Sequence, residues 1–155
     1  MRLARQSAGI EQLEGNLMAR IVFAGLIAVV IALPTVVAAW WSFNRHEVFP
    51  VADNAWEVVS EVGTSAANYW CAAGDYAQRV LRVPAAQRIY IWKAIGPSVN
   101  RPSRKAVQFS LTPPPGADTS TGYSLSVKRA GDNLARHSAV WYCDQFDAED
   151  IRRRW

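Results

Sequence analysis

The chain has 155 residues, 50% of them hydrophobic and 19% charged, a balance that suits one globular domain and excludes a disordered polymer. Its formal charge of +4 is mild. With Arg2, Arg5, Arg20, Glu11 and Glu14 all lying before residue 40, the remainder holds 14 basic and 11 acidic groups. That is far short of the basic footprint of a nucleic-acid binder, and compatible with an acidic partner or an anionic membrane surface.

The run Ile21 to Leu33 is uncharged, follows Arg20 and stops at Pro34, as the apolar region of a secretory signal does. Val37 and Ala39 occupy the two positions that a signal peptidase reads. Residues 1–39 therefore read as a signal peptide whose cleavage leaves Trp40 first. Met18-Ala19-Arg20 makes a short positive start of its own, which would make the first seventeen residues an upstream extension. The alternative is an uncleaved N-terminal hydrophobic helix over residues 21–41. Its 21 uncharged residues, at about 1.5 Å each, just span a hydrocarbon core of roughly 30 Å, with Trp40 and Trp41 at the interface. Both readings export the rest of the chain, to the periplasm or beyond. No cysteine directly follows the run, so a bacterial lipoprotein anchor is excluded.

Residues 40–54, with Pro50 among them, read as an arm or linker. Trp56 to Val62 mixes β-branched with acidic residues and predicts a first strand, ended by Gly63. From a Ser65 N-cap, Tyr69, Trp70, Ala73, Tyr76 and Ala77 recur at helical spacing, predicting a central helix to about Arg82. Gly74 inside it costs about 1 kcal/mol relative to alanine, which a close helix-to-sheet contact would offset.

Arg88 to Ile95 is apolar on both faces, the pattern of a central strand. After the polar connection 98–105, Val107, Phe109 and Leu111 alternate with polar residues. A proline-rich loop over 113–122 leads to Tyr123, Leu125 and Val127, which alternate likewise and predict a hairpin. Ser138 to Cys143 reads as a last strand or loop, and residues 144–155 as a charged tail. The expected fold is α+β, one central helix on an antiparallel meander of about four strands, with the domain proper over 55–143.

Cys71 and Cys143 are the only cysteines, and an export signal makes their oxidation reasonable. A disulfide between them would close a loop of about 70 residues and contribute about 4 to 5 kcal/mol in the chain-entropy model. The chain has no CxxC, so a thiol nucleophile is the weaker reading. His46 and His137 stand beside arginines without metal-ligand spacing, and neither a metal nor a cofactor is predicted. Asp75, between Gly74 and Tyr76, is the most unusual carboxylate; a bond to backbone or to a cation is favoured over catalysis, and no catalytic residue is assigned. Arg101, Arg104 and Lys105, with Lys128 and Arg129 on the expected neighbouring strand, form a candidate anion- or partner-binding rim. The terminal Arg152-Arg153-Arg154-Trp155 could touch lipid headgroups.

Four stretches carry a resemblance: Tyr69-Trp70-Cys71-Ala72-Ala73-Gly74-Asp75-Tyr76-Ala77, Arg104 to Phe109, Pro113-Pro114-Pro115-Gly116, and Ser124 to Arg129. Together they resemble a family of small exported alphaproteobacterial proteins of unassigned function, over roughly residues 44–143. That family often has glycine where Ala72 stands. The resemblance implies export and a single compact domain, and transfers no catalytic residue. The functional expectation is a non-enzymatic binding or interaction module in the cell envelope. The alternatives are a membrane-anchored accessory subunit or a small hydrolytic enzyme built on Asp75.

Overall fold

The computed structural model describes residues 38–120, 122 and 125–153. The signal-peptide and anchor readings fall almost wholly outside these residues, as do Arg154 and Trp155. Among the described residues no helix is long and apolar enough to cross a membrane. The elements run β1 (Trp40–Trp41), β2 (Glu47–Ala52), β3 (Ala55–Val59), α1 (Ala66–Arg79), β4 (Arg88–Pro97), β5 (Lys105–Ser110), β6 (Asn133–Ala135) and α2 (Arg136–Arg153). The strands form one antiparallel sheet in the order β1-β2-β3-β5-β4-β6, and the two helices pack together. The α+β class holds.

α1 starts where the sequence says. Ser65 is extended, its hydroxyl accepts from the Asn68 amide, and the Asn68 side chain accepts from the Ser65 N–H, closing a capping box. One side of α1 buries Tyr69, Trp70, Ala73, Tyr76 and Ala77 against Trp56, Val58, Ile89, Ile91, Val107 and Phe109 of the sheet. The Trp70 and Phe109 rings meet edge to face at 5.0 Å, and the Trp56 and Tyr76 rings lie tilted at 5.5 Å.

Several expectations change. Residues 40–54 are not an arm: they supply β1 and β2, and Trp40 packs its ring on Tyr76 at 5.5 Å. The first strand ends at Val59, because Thr64 binds back to Glu61 and turns the chain into α1. The sheet is not a meander, since β5 lies between β3 and β4 with both edges occupied. Residues 125–127, the described part of the expected hairpin strand, therefore have no edge of β5 to pair with. Val127 instead lies beside β4, its carbonyl accepting from Ile95 N–H, and Asp132 does the same for Ile91.

The stretch 138–143 is helical, and the expected tail continues α2 to Arg153. Ala139 and Cys143, one helical turn apart, are its buried contacts with α1. This also corrects the reading of Gly74. A side chain there would sit 2.8 Å from the Val140 nitrogen and 2.9 Å from the Ala139 Cβ, so glycine permits a helix-to-helix approach and not a helix-to-sheet one. The Cys71–Cys143 disulfide fixes the same crossing, with the two Cα atoms 4.9 Å apart.

Candidate functional site

Strand alternation gives the sheet a second face. Phe49, Glu57, Gln108 and Lys93 are register partners across four strands, on the side opposite Trp56 and Phe109. The helices pack on the other side. What covers this one in part is the β4–β5 connection, and Glu57 holds it there. The Glu57 carboxylate is fully buried and accepts from Ser98 Oγ at 2.5 Å, Val99 N at 3.0 Å, Asn100 N at 3.2 Å and Asn100 Nδ2 at 3.3 Å. Burial pushes its pKa up, but the hydrogen bonds from Ser98, Val99 and Asn100 outweigh burial and hold it below the usual carboxylate range.

A second carboxylate closes the neighbouring end. Glu47 takes a bidentate pair from Arg101, at 2.6 and 3.0 Å, and a third contact from Arg104 Nη1 at 3.1 Å. Arg101 lies over the Phe49 ring at 4.9 Å. Arg104 also donates to the Ser60 carbonyl and pairs with Glu61. Nearby, buried His46 donates Nδ1–H to the Asn44 carbonyl and sets Nε2 3.0 Å from Thr64 Oγ1. Burial lowers its pKa, with the Arg104 charge adding to the effect and the Asn44 bond and Glu61 opposing it.

Where the β4–β5 connection ends its cover, the face opens into a pocket of about 490 Å³. Ala55 and Gln108 form the floor, Val51 and Ala52 at the end of β2 with Asn54 of the β2–β3 turn one wall, and Trp92 and Val99 the other. Val51 and Trp92 are each 38% exposed and Val99 is 65% exposed. Trp92 follows buried Ile91 and so faces this side by ordinary strand alternation, while the irregularity between Ile91 and Lys93 brings Lys93 to the same side. The volume lies within the range of small-ligand sites, and an apolar lining with two amide side chains suits an apolar group carrying one polar handle.

The sequence-predicted residues are distributed as follows. Cys71 and Cys143 are bonded in the core. Asp75 accepts from Phe43 N at 2.7 Å and pairs with Arg79 at 2.6 Å, the backbone and cation partners expected of it. Arg101 and Arg104 are brought together, on Glu47. Arg129 is held elsewhere, by Asp118 and Asp132. Lys105 and Lys128 are exposed and have no ion pair among the described residues. His137 contacts the Ala85 carbonyl. Among the described residues no group of three or more His, Cys, Asp or Glu could hold a metal ion.

Sequence reading missed Glu47, Glu57 and the pocket. Acidic residues at alternate places in otherwise apolar strands were the available signal. No known protein family, curated protein or solved structure matches the chain.

Proposed function

We propose that the chain is an exported, non-enzymatic binding module of the cell envelope, and that it binds through the helix-free face of its sheet. The observation that carries the reading is the pocket between Trp92, Val99 and Val51, an apolar concavity on a face whose carboxylates already have their partners within the protein, hydrogen-bond donors for Glu57 and arginines for Glu47. An apolar group entering it displaces water from tryptophan and valine without stripping a charge. The disulfide is consistent with an oxidising location outside the cytoplasm, and the resemblance to small exported proteins supports the same placement. Pairing of Arg101, Arg104 and Arg129 with carboxylates moves the favoured surface from the basic rim to the pocket. The hydrolytic alternative needs a free carboxylate, and both oxygens of Asp75 are engaged.

Titration of the full chain with the uncharged fluorescent probe N-phenyl-1-naphthylamine tests this reading. Saturable binding is expected, weakened about tenfold by Trp92→Ala and by Val99→Ser while the far-ultraviolet circular dichroism stays unchanged. Equal affinity in wild type and both folded variants, or no saturable binding in the wild type, overturns it.

A further inference from the structure

We infer that the ligand of the pocket is an uncharged apolar molecule whose one polar group donates a hydrogen bond, a phenol or an aliphatic alcohol, and that Gln108 Oε1 is the acceptor that selects it. The inference rests on the reading of this pocket as the binding site, and names the chemistry of its occupant. Its ground is the way in which Glu57 fixes the Gln108 amide.

Gln108 and Glu57 are register partners on β5 and β3, and Gln108 Nε2 lies 3.4 Å from Glu57 Oε2. The bonds that Glu57 accepts from Ser98, Val99 and Asn100 keep its carboxyl ionised. An ionised carboxylate only accepts, so the amide nitrogen of Gln108 must face it and the amide oxygen must face away. The opposite flip would set two acceptors against each other. Among the described residues no hydrogen-bond donor reaches Gln108 Oε1, and Gln108 lies on the floor of the pocket. An amide that donates to a charged acceptor is polarised, so its oxygen accepts more strongly.

Charge decides against an ion. Lys93 is the register partner of Gln108 on β4, so Gln108 stands between the Glu57 carboxylate and the exposed Lys93 ammonium. A cationic ligand would meet Lys93 and an anionic one Glu57, each partly stripped of water by the pocket. The lining of Val51, Ala52, Ala55, Trp92 and Val99 takes the apolar remainder of the ligand. Asn54, the other amide of the pocket, does not select. It is exposed, and its partner at 3.5 Å is the Thr112 hydroxyl, which can donate or accept, so either end of that amide can turn to a ligand.

The test measures displacement of bound N-phenyl-1-naphthylamine from the full chain by a matched pair: 1-naphthol, whose hydroxyl donates, and 1-methoxynaphthalene, whose ether oxygen only accepts. Apolar transfer alone favours the ether, which carries the extra methyl group. Wild type is expected to reverse that order and bind the naphthol about tenfold more tightly, the scale of one hydrogen bond to a polarised acceptor. Gln108→Met, similar in length and without an amide, should erase the preference by weakening the naphthol and not the ether, while Asn54→Ala should keep it. Equal affinities or a preference for the ether in wild type overturns the inference, and that comparison requires no variant to fold. A naphthol preference that survives Gln108→Met, or one lost with Asn54→Ala, overturns it as well. If the probe binds through Trp92 and the pair is not distinguished, the inference falls and the proposed function stands; if the probe does not bind saturably, both fall.

Discussion

On one side of the sheet Trp56, Phe109, Ile91 and Val107 are sealed by α1 and its aromatic rings; on the other the same strands carry Glu57, Glu47 and Gln108 and are covered by a loop. Apolar packing is non-directional, so the helix side closes along its whole width. A buried carboxylate needs donors at fixed places, so the loop is held at points, by Glu57, by Glu47 and by the bonds of Arg104 to Ser60 and Glu61, and the surface beyond is left open. The pocket is a consequence of closing a face with hydrogen bonds.

The largest expected effect breaks the helix side. Cys71→Ser should lower unfolding free energy by about 2 to 5 kcal/mol in urea titrations, through release of the unfolded chain, with naphthylamine affinity unchanged wherever the protein stays folded. Glu57→Ala should cost about 3 kcal/mol, because the donors of Ser98, Val99 and Asn100 lose a charged acceptor, and here the pocket should suffer as well, since Val99 is one of its walls. Comparing the two variants separates the faces: both destabilise, and only the second should weaken binding.

Gly74→Ala should cost about 2 kcal/mol by forcing α1 away from Ala139 and Val140, measured as a lower urea midpoint at constant slope. The smallest effect is a pH dependence. His46 is neutral in the fold and its pKa lies below the ordinary 6.5, so the unfolded chain takes up the proton first. Its contribution is complete above pH 6.5 and is lost as pH falls through the folded value. Glu57, also lowered, adds a loss of the same sign below its ordinary 4.5. Urea midpoints measured from pH 7.5 to 5 should decline, and His46→Asn should flatten that decline.

Much of the helix side was legible because its signals are local: Ser65 and Asn68 make a cap, Tyr69, Trp70, Ala73 and Tyr76 repeat at helical spacing, and the chain has one possible disulfide. Residues 40–54 were not, because Pro50 normally argues against a strand. It is tolerated where β2 has run past the two-residue β1 and is an outer edge, so no partner there needs its missing N–H. α2 was hidden by Trp141 and Tyr142, which gave Val140 to Cys143 the look of a strand, although Ala139 and Cys143 carried the one-turn spacing. The pocket could not be read at all. It depends on Val99 being drawn over the sheet by a carboxylate 42 residues earlier.

The strand order also sets how the domain assembles. β2 with β3, and β4 with β5, are contiguous hairpins that can each form on the microsecond scale, about 1 to 10 μs. They are sewn into one sheet by a single seam, from Ala55 against Ser110 to Val59 against Ala106, with all of α1 looped between them. That seam closes a longer loop than either hairpin, so it is expected to form more slowly than they do. Glu57 and Gln108 face each other in the middle of the seam. The residue that later holds the loop over the sheet therefore acquires its place only when the two halves meet.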